Sequence, residues 1–406
     1  MSELHIITCE YPPQMGGVSE YTRLVAEGLA NAGEDVHVWA PGEGDKAEGK
    51  RQKAASGKRK AEGERQEALV NVHRELGTFR PRDLRRVGKQ LDQFRSPRRI
   101  LVQWVPHGFG YRSMNLPFCS WLWWRARAKR DQVELIVHEP YLPFAGSWKQ
   151  HGAAAVHRLM TACLLRSPRC VWLSTPAWKE KLTPYALGRR IPFHWLPLTS
   201  NVPEIDNPRV SREIRNVYAS SEELLLGHYG TYSPQISEFL LKSLSLLLPK
   251  HDRLAMLLMG PGGQQLRERL AQMDPKLSRR VHATGELSIA DSTKHISACD
   301  ILLQPYPDGV SSRRTTMMAG LFLQVPTVTT QGETTEPLWA ESGAVALTPA
   351  GDVNAFVASV ERLLVDQTER RRLAIASSQL YQERFDIRHV IGALRAYSQG
   401  ALQSML

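Results

Sequence analysis

Residues 305–330 read PYPDGVSSRRTTMMAGLFLQVPTVTT, and the fold turns on how that stretch is read. It follows the apolar run Ile301-Leu302-Leu303, which reads as a buried strand. A Pro/Asp/Gly turn comes next, then Ser311-Ser312, then Arg313-Arg314, then an apolar-periodic helix closing near Gln324. A second strand is expected over Val325–Thr329. A strand feeding a Ser-capped helix with arginines in its first turn offers free backbone N–H groups and the positive end of a helix dipole to an anion. An ordinary capped helix with solvated arginines has the same local pattern, so the flanking chain has to decide.

At 406 residues the chain exceeds the size at which one core keeps growing, and two domains are expected. Five scattered cysteines form no C-x-x-C or His/Cys cluster, which argues against a structural zinc site or a disulfide framework and fits a reducing compartment. The N-terminal MSELHIITCE has no basic n-region or long apolar run, and no run of about 18 apolar residues occurs anywhere. A cytoplasmic protein, peripheral at the inner face of the membrane, is expected. The net charge of +11 is one-sided: residues 1–200 hold 31 Lys/Arg against 19 Asp/Glu (+12), and residues 201–406 hold 21 against 22 (−1). Such a field attracts phosphate-bearing surfaces, whether anionic lipid, nucleic acid or polyanionic substrate.

In chain order, LHIITC (4–9) reads as a strand, EYPPQMGG as a turn, Val18–Ala32 as a helix and DVHVWAP as a second strand. The Gly16-Gly17 pair lets backbone approach a ligand closely, although G-x-G-x-x-G is absent there. Residues 42–67 are charged and nearly free of bulky apolar side chains, the composition of a flexible insertion. Trp121, Trp123 and Trp124 run into Arg125, Arg127, Lys129 and Arg130, a pattern shared by interfacial helices and by helices packed on a sheet with a solvated basic end. The packed helix is the slightly favoured reading. VELIVHEP is a buried strand ending in His138-Glu139, where an open α/β sheet collects ligands. Residues 203–212 read as an interdomain link, after which β and α patterns alternate again.

With both halves placed, the chain resembles glycosyltransferase family 4 over nearly its whole length outside residues 42–67. YPPQMGGVSEYTRLVAEGLANAGEDVHVWAP is similar to the family's first βαβ unit, LIVHEP to its strand ending in a His beside the reacting sugar, and TGELS with ACDILLQPYPDG to its donor-side segments. The resemblance implies a GT-B fold: α/β, with two Rossmann-like doubly wound domains facing a central cleft. It implies an acceptor domain over 1–200, a nucleotide-sugar domain over 201–385, and a C-terminal helix over 386–406 packing back towards the first domain.

The departures carry information. The family's donor loop usually reads G-R-L-x-x-x-K-G, whereas this chain has Gly230-Thr231-Tyr232-Ser233-Pro234-Gln235-Ile236-Ser237, without either cation. The family's E-x7-E pattern becomes Asp308 and Thr316. A diphosphate leaving group needs its charge stabilised. Arg313 and Arg314, with the Ser311 and Ser312 amides, are expected to replace the lost cations. Asp308 is expected to orient the donor sugar and Thr316 to meet the ribose; Gly230, Thr231, Gly285, Glu286 and Gly309 complete the donor side. His138 is expected beside the reacting sugar, with Gly16, Gly17 and Glu139 on the acceptor side. With no D-x-D pair, neither metal nor cofactor is expected.

The function implied is a retaining, metal-independent transfer of a sugar from a nucleotide-diphosphate donor to an acceptor hydroxyl in cell-surface glycan or glycolipid synthesis. The expected acceptor is a glycan or lipid-linked glycan, reached at an anionic membrane surface through the basic first half. A non-catalytic GT-B partner, or another GT-B enzyme such as an epimerase or phosphorylase, are the alternatives. A nucleic-acid binder would explain the charge but not a two-domain cleft, so no nucleic acid is expected.

Overall fold

The computed structural model describes residues 3–14, 16–42, 70–110, 113–144, 146–204 and 207–400, and the chain forms two compact units. From residue 43 on, the insertion read over 42–67 lies outside the described residues. The first unit runs to Pro197 and takes in the chain again from Ile387; the second is Leu198–Asp386.

The first unit is built on β1 (Glu3–Ile7), β2 (Asp35–Trp39), β3 (Val70–His73), β4 (Arg99–Trp104), β5 (Gln132–Val137), β6 (Cys170–Leu173) and β7 (Phe193–Trp195). All neighbours pair in parallel, in the order β3-β2-β1-β4-β5-β6-β7. Parallel strands need helical crossovers, which cover both faces, and so β4 and β6 are buried at every position. Strand order reverses between β1 and β4, the switch point beyond whose C-terminal ends a ligand is received in such sheets. The helix Ile387–Ser398 packs on the helix Gly17–Asn31, where Gly28 leaves room for Ile391: a Cβ there would lie 2.7 Å from Ile391 Cδ1.

This unit buries charge as well as apolar surface. Glu134 on β5 accepts hydrogen bonds from Arg99 Nε (2.8 Å), Arg169 Nη2 (2.6 Å) and Trp172 Nε1 (3.1 Å). Burial raises the Glu134 carboxyl, but Arg99 and Arg169 outweigh it and hold it below the ordinary carboxylate range. Arg125 corrects the sequence reading. It is no part of a solvated basic end but fully buried, with Nε 2.6 Å from Asp131 Oδ2 and Nη1 donating to the Gly88 carbonyl. Of the neighbouring tryptophans, Trp121 packs against the core, whereas Trp123 and Trp124 are 38% and 48% exposed. The helix Leu116–Ala128 thus divides its aromatic side chains between core and solvent.

The second unit is built on β8 (Leu224–Tyr229), β9 (Leu254–Met259), β10 (Val281–Gly285), β11 (Ile301–Gln304), β12 (Thr327–Gln331) and β13 (Ala346–Pro349), ordered β10-β9-β8-β11-β12-β13 and parallel throughout. Its switch point lies between β8 and β11. The β12 ladder starts later than the sequence suggested, because Pro326 has no N–H to give and contributes only its carbonyl, to Leu302 N. The link read over 203–212 is also corrected in part: Asn207 caps the helix Pro208–Tyr218, accepting from Arg209 N at 3.0 Å, and that helix packs on β9 and the helix Ile289–Ser297.

Candidate functional site

At the C-terminal edge of the second sheet the loops after β8, β9 and β10 are stacked on one another. Gly260 N donates to the Gly285 carbonyl at 2.9 Å. At φ +116 Gly260 comes so close to the first loop that a Cβ would stand 2.2 Å from the Gly230 carbonyl oxygen, so only glycine fits. This contact packs the Gly230 loop directly against the loop after β9. Thr231 and Glu286 are both exposed at this edge.

Behind Gly230 lies His228, which sequence reasoning missed. Its Nδ1 is 2.7 Å from the Leu303 carbonyl, and its ring meets Tyr232 edge-on at 4.9 Å. Burial lowers its pKa to about 4, against which the Leu303 and Thr231 backbone bonds act, so it is neutral at pH 7. A histidine inside the otherwise apolar run LLLGHY was the available signal.

The 305–330 stretch differs from its expected form. The helix is Thr315–Phe322 and its N-cap residue is Arg314, with no side-chain cap. Ser311 and Ser312 therefore precede the helix, and the arginines stand before its first turn. Ser312 is a structural residue here: its amide (3.1 and 3.2 Å) and its hydroxyl (2.5 Å) bond to the buried Glu336 carboxylate, which also receives Trp339 Nε1 at 2.8 Å. Its amide is thus spoken for, contrary to the expectation that it faces a diphosphate. Ser311 is fully buried and its Oγ makes no hydrogen bond.

The arginines converge on Asp308. Arg313 Nη2 lies 2.5 Å from Asp308 Oδ2, and Arg314 Nη2 binds Oδ1 of the same carboxylate. Burial raises the Asp308 carboxyl; the Arg314 and Arg313 charges outweigh it and bring it below its usual value. The backbone that carries Asp308 is closely packed: at φ +89 a Cβ on Gly309 would sit 2.2 Å from Thr335 Oγ1, and Thr334 N and Oγ1 both donate to the Asp308 main-chain carbonyl. The Arg314 guanidinium lies over the Tyr306 ring at 4.7 Å, and the Tyr306 hydroxyl is 2.9 Å from Thr316 Oγ1. Thr316 Cγ2 in turn reaches the Gly230 loop, 3.5 Å from where a Gly230 Cβ would be. Asp308, Arg313, Arg314, Tyr306, Thr316 and Gly230 thus form one connected constellation at the switch point. It holds one negative and two positive side chains, a net charge suited to an anionic ligand.

The first unit's candidates gather at its own switch point. His138 follows β5 directly, buried, with Nε2 2.8 Å from Gln103 Oε1 on β4 and its ring edge-on to Tyr21 at 5.2 Å. Burial lowers its pKa to about 4, slightly opposed by Glu139, so it is a neutral hydrogen-bonding group. Glu139 is 2.6 Å from His107 Nε2, a partner the sequence did not suggest. At Gly16-Gly17 the helix N-terminus is already capped by the chain itself: Glu10 Oε1 accepts from Ser19 N at 3.0 Å, and a Cβ on Gly16 would collide with that carboxylate.

Residues 224–366, all within the second unit, match the family described as glycosyl transferases group 1. No curated protein sequence matches the chain. Among solved structures, sucrose-phosphate synthase from Thermosynechococcus elongatus is similar at 16% identity and TM-score 0.71, over 98% of this chain and 99% of that one. Anabaena HepE in complex with UDP is similar at 15% identity and TM-score 0.66, over 99% and 100%. WaaG, a glycosyltransferase involved in lipopolysaccharide biosynthesis, is similar at 12% identity and TM-score 0.64, over 97% and 99%. The fold is therefore GT-B, and its second unit carries the group 1 glycosyltransferase sequence pattern.

Proposed function

We propose that the protein is a retaining glycosyltransferase of family 4 that moves a sugar from a nucleotide-diphosphate donor to an acceptor hydroxyl. The observation that carries this reading is the Asp308–Arg313–Arg314 cluster, linked through Tyr306 and Thr316 to the Gly230 loop, inside the segment that matches the family. HepE structures hold UDP and UDP-glucose, which supports a donor of this chemistry.

In this reading the donor diphosphate binds at Arg313 and Arg314 and draws them partly from Asp308, whose carboxylate then turns to the sugar hydroxyls. Fixed guanidiniums stabilise the departing diphosphate without a metal. Thr316 and Tyr306 offer hydroxyls to the ribose. Neutral His138, held by Gln103, hydrogen-bonds the sugar, and Glu139 with Gly16-Gly17 belongs to the acceptor side. The acceptor is a glycan or lipid-linked glycan. Exposed Trp123 and Trp124, with Arg166 and Lys129 over their rings at 5.4 and 5.7 Å, support an anionic membrane surface as its location. A thermal-shift screen of nucleotide sugars tests the donor: a ligand that binds only the native state raises its melting temperature, and a panel of UDP-, GDP- and ADP-sugars without any shift would refute the reading.

A second reading, a donor-binding GT-B partner without turnover, is favoured by the occupation of both arginines by Asp308 and of the Ser312 amide by Glu336. Release of free nucleoside diphosphate from a bound sugar donor separates the two.

A further inference from the structure

At the opposite, N-terminal edge of the first sheet lies a group of side chains that the donor chemistry does not use. Parallel register places Glu3 beside Asp35 and His5 beside His37 on β1 and β2. Side chains two apart along a strand share a face, so these four point to the same side of the sheet. One carboxylate oxygen of Glu3, one of Asp35 and one ring nitrogen of His37 lie within 4.8 Å of one another.

His37 supplies the second observation. It is 8% exposed, and its Nδ1 is bound to His73 Nε2 at 3.0 Å. The ring is held between Phe94 (4.6 Å, edge-on) and His73 (5.3 Å, stacked). Its buried Nε2 makes no hydrogen bond, though it faces Asp35 Oδ1 at 3.5 Å. In the tautomer that donates Nδ1–H to His73, the Nε2 lone pair is left facing the carboxylate oxygens, an arrangement that a cation between them satisfies. Among the described residues no lysine or arginine forms an ion pair with Glu3 or Asp35; Asp35 has the Asn71 amide at 3.3 Å. Glu3 and Asp35 line a recess of about 880 Å³, whose other walls include Glu34, Arg95, Arg98, Arg99, Arg169 and Arg395. Of these, Arg98 pairs with Asp131, Arg99 and Arg169 with Glu134, and Arg395 with Glu34.

We infer that Glu3, Asp35 and His37 form a structural binding site for a first-row divalent cation, zinc or manganese. Ligands of one such ion stand about 3–4 Å apart, given bonds of about 2.0–2.2 Å, so binding needs only a small inward turn of the two half-exposed carboxylates. Two carboxylates with one imidazole favour a transition metal over Mg²⁺ or Ca²⁺, which take oxygen donors. His73 is the positioning residue: by holding Nδ1 it leaves Nε2 to the metal, as outer partners of metal-bound histidines generally do. The metal would tie β1 to β2 at the edge away from His138 and Gly16, so it is separate from the proposed catalysis. This inference stands without the proposed function.

The test is equilibrium dialysis of the untagged, chelator-treated full chain against Zn²⁺, followed by thermal unfolding. One Zn²⁺ per chain and a raised melting temperature are expected. Glu3→Gln and Asp35→Asn, both at half-exposed positions, should keep the metal-free melting temperature and bind at least about tenfold more weakly; His73→Gln should weaken binding by about tenfold or more. His37→Gln should abolish it, and if that variant fails to fold, the two carboxamide variants decide. Zinc bound equally by wild type and the Glu3→Gln/Asp35→Asn double variant, or no zinc bound at all, would overturn the inference. Nucleotide-sugar binding by the metal-free protein is expected to be unchanged.

Discussion

Arg313 Nη2 donates to Asp308 Oδ2 at 2.5 Å, and Arg314 takes the other oxygen of the same carboxylate. The acid and the two cations are therefore a single electrostatic unit. Whatever binds one must disturb the others, and the two roles proposed for that unit can be separated by mutation.

Replacing Asp308 with Asn removes the charge that both guanidiniums pair with and leaves the sugar hydroxyls one neutral amide oxygen in place of a carboxylate. UDP, or whichever nucleoside diphosphate binds, should then bind as tightly as before or several-fold more tightly, while the transfer rate falls by about 10²–10³. Calorimetry of the nucleotide and a turnover assay check the two halves. A parallel loss of both would mean that Asp308 serves only to hold the arginines.

Tyr306→Phe removes the hydroxyl 2.9 Å from Thr316 while keeping the ring beneath Arg314. The loss of one such hydrogen bond is about 1 kcal/mol, so donor KM should rise about fivefold with kcat little changed. Tyr306→Leu should cost more, since it also removes the cation–π contact.

Buried neutral histidines make stability depend on pH. His138 and His228 have folded pKa values of about 4, His5 of about 3, against 6.5 when unfolded. Below 6.5 the unfolded chain binds these protons and the folded one does not, so stability is full above 6.5 and is lost as pH falls towards 4. For His138 and His228 the loss approaches roughly 3 kcal/mol each. The lowered Asp308 pKa adds a contribution present above the ordinary aspartate range and lost as pH falls through its folded value. Urea unfolding at pH 7.5 and 4.5 should show the decline, and His138→Gln should lessen it by that residue's share.

Glu134→Gln leaves Arg99 and Arg169 without their carboxylate in the first unit. Breaking a buried ion pair costs about 3–5 kcal/mol, so the melting temperature should drop markedly. Donor binding, assigned to the second unit, should be unaffected at temperatures where the variant is folded.

Exchanging Trp123 and Trp124 for Ser should weaken sedimentation with anionic vesicles and leave neutral vesicles unaffected. The native protein's binding should fall as salt rises. Equal sedimentation of wild type and the double variant would remove the membrane from the account.

The alternation of β and α patterns in the two halves was readable because parallel strands buried on both faces are near-continuous apolar runs, as in β4 and β9. The positions of His138, Gly230 and Asp308 at strand ends followed from the same periodicity. Three things were not legible. Arg125 reads as a surface cation beside tryptophans, and only Asp131, just past the helix end, with Asp92 and the Gly88 carbonyl more than thirty positions back, shows why it is buried. Ser312 reads as a helix cap, yet Glu336, 24 positions away, claims its amide and hydroxyl. His228 and Gln103 become site residues only when separate strands are set side by side, and Tyr306 only when the loop after β11 folds back to bring Arg314 and Thr316 onto it. In each case the deciding partner lies outside the residue's own helix or strand, where local propensity carries no information.

Arg313 and Arg314 are proposed to bind the diphosphate of a sugar-nucleotide donor. Calorimetric titration of the best donor from the thermal-shift screen into wild type and into the Arg313→Ala/Arg314→Ala variant, under excess chelator, tests it directly. Each charged contact to a phosphate is worth about 1.5–3 kcal/mol, so the account predicts donor binding by the wild type without metal and a loss of at least about a hundredfold in the variant. Equal affinity in the two proteins, or wild-type binding that vanishes with the metal, would contradict it.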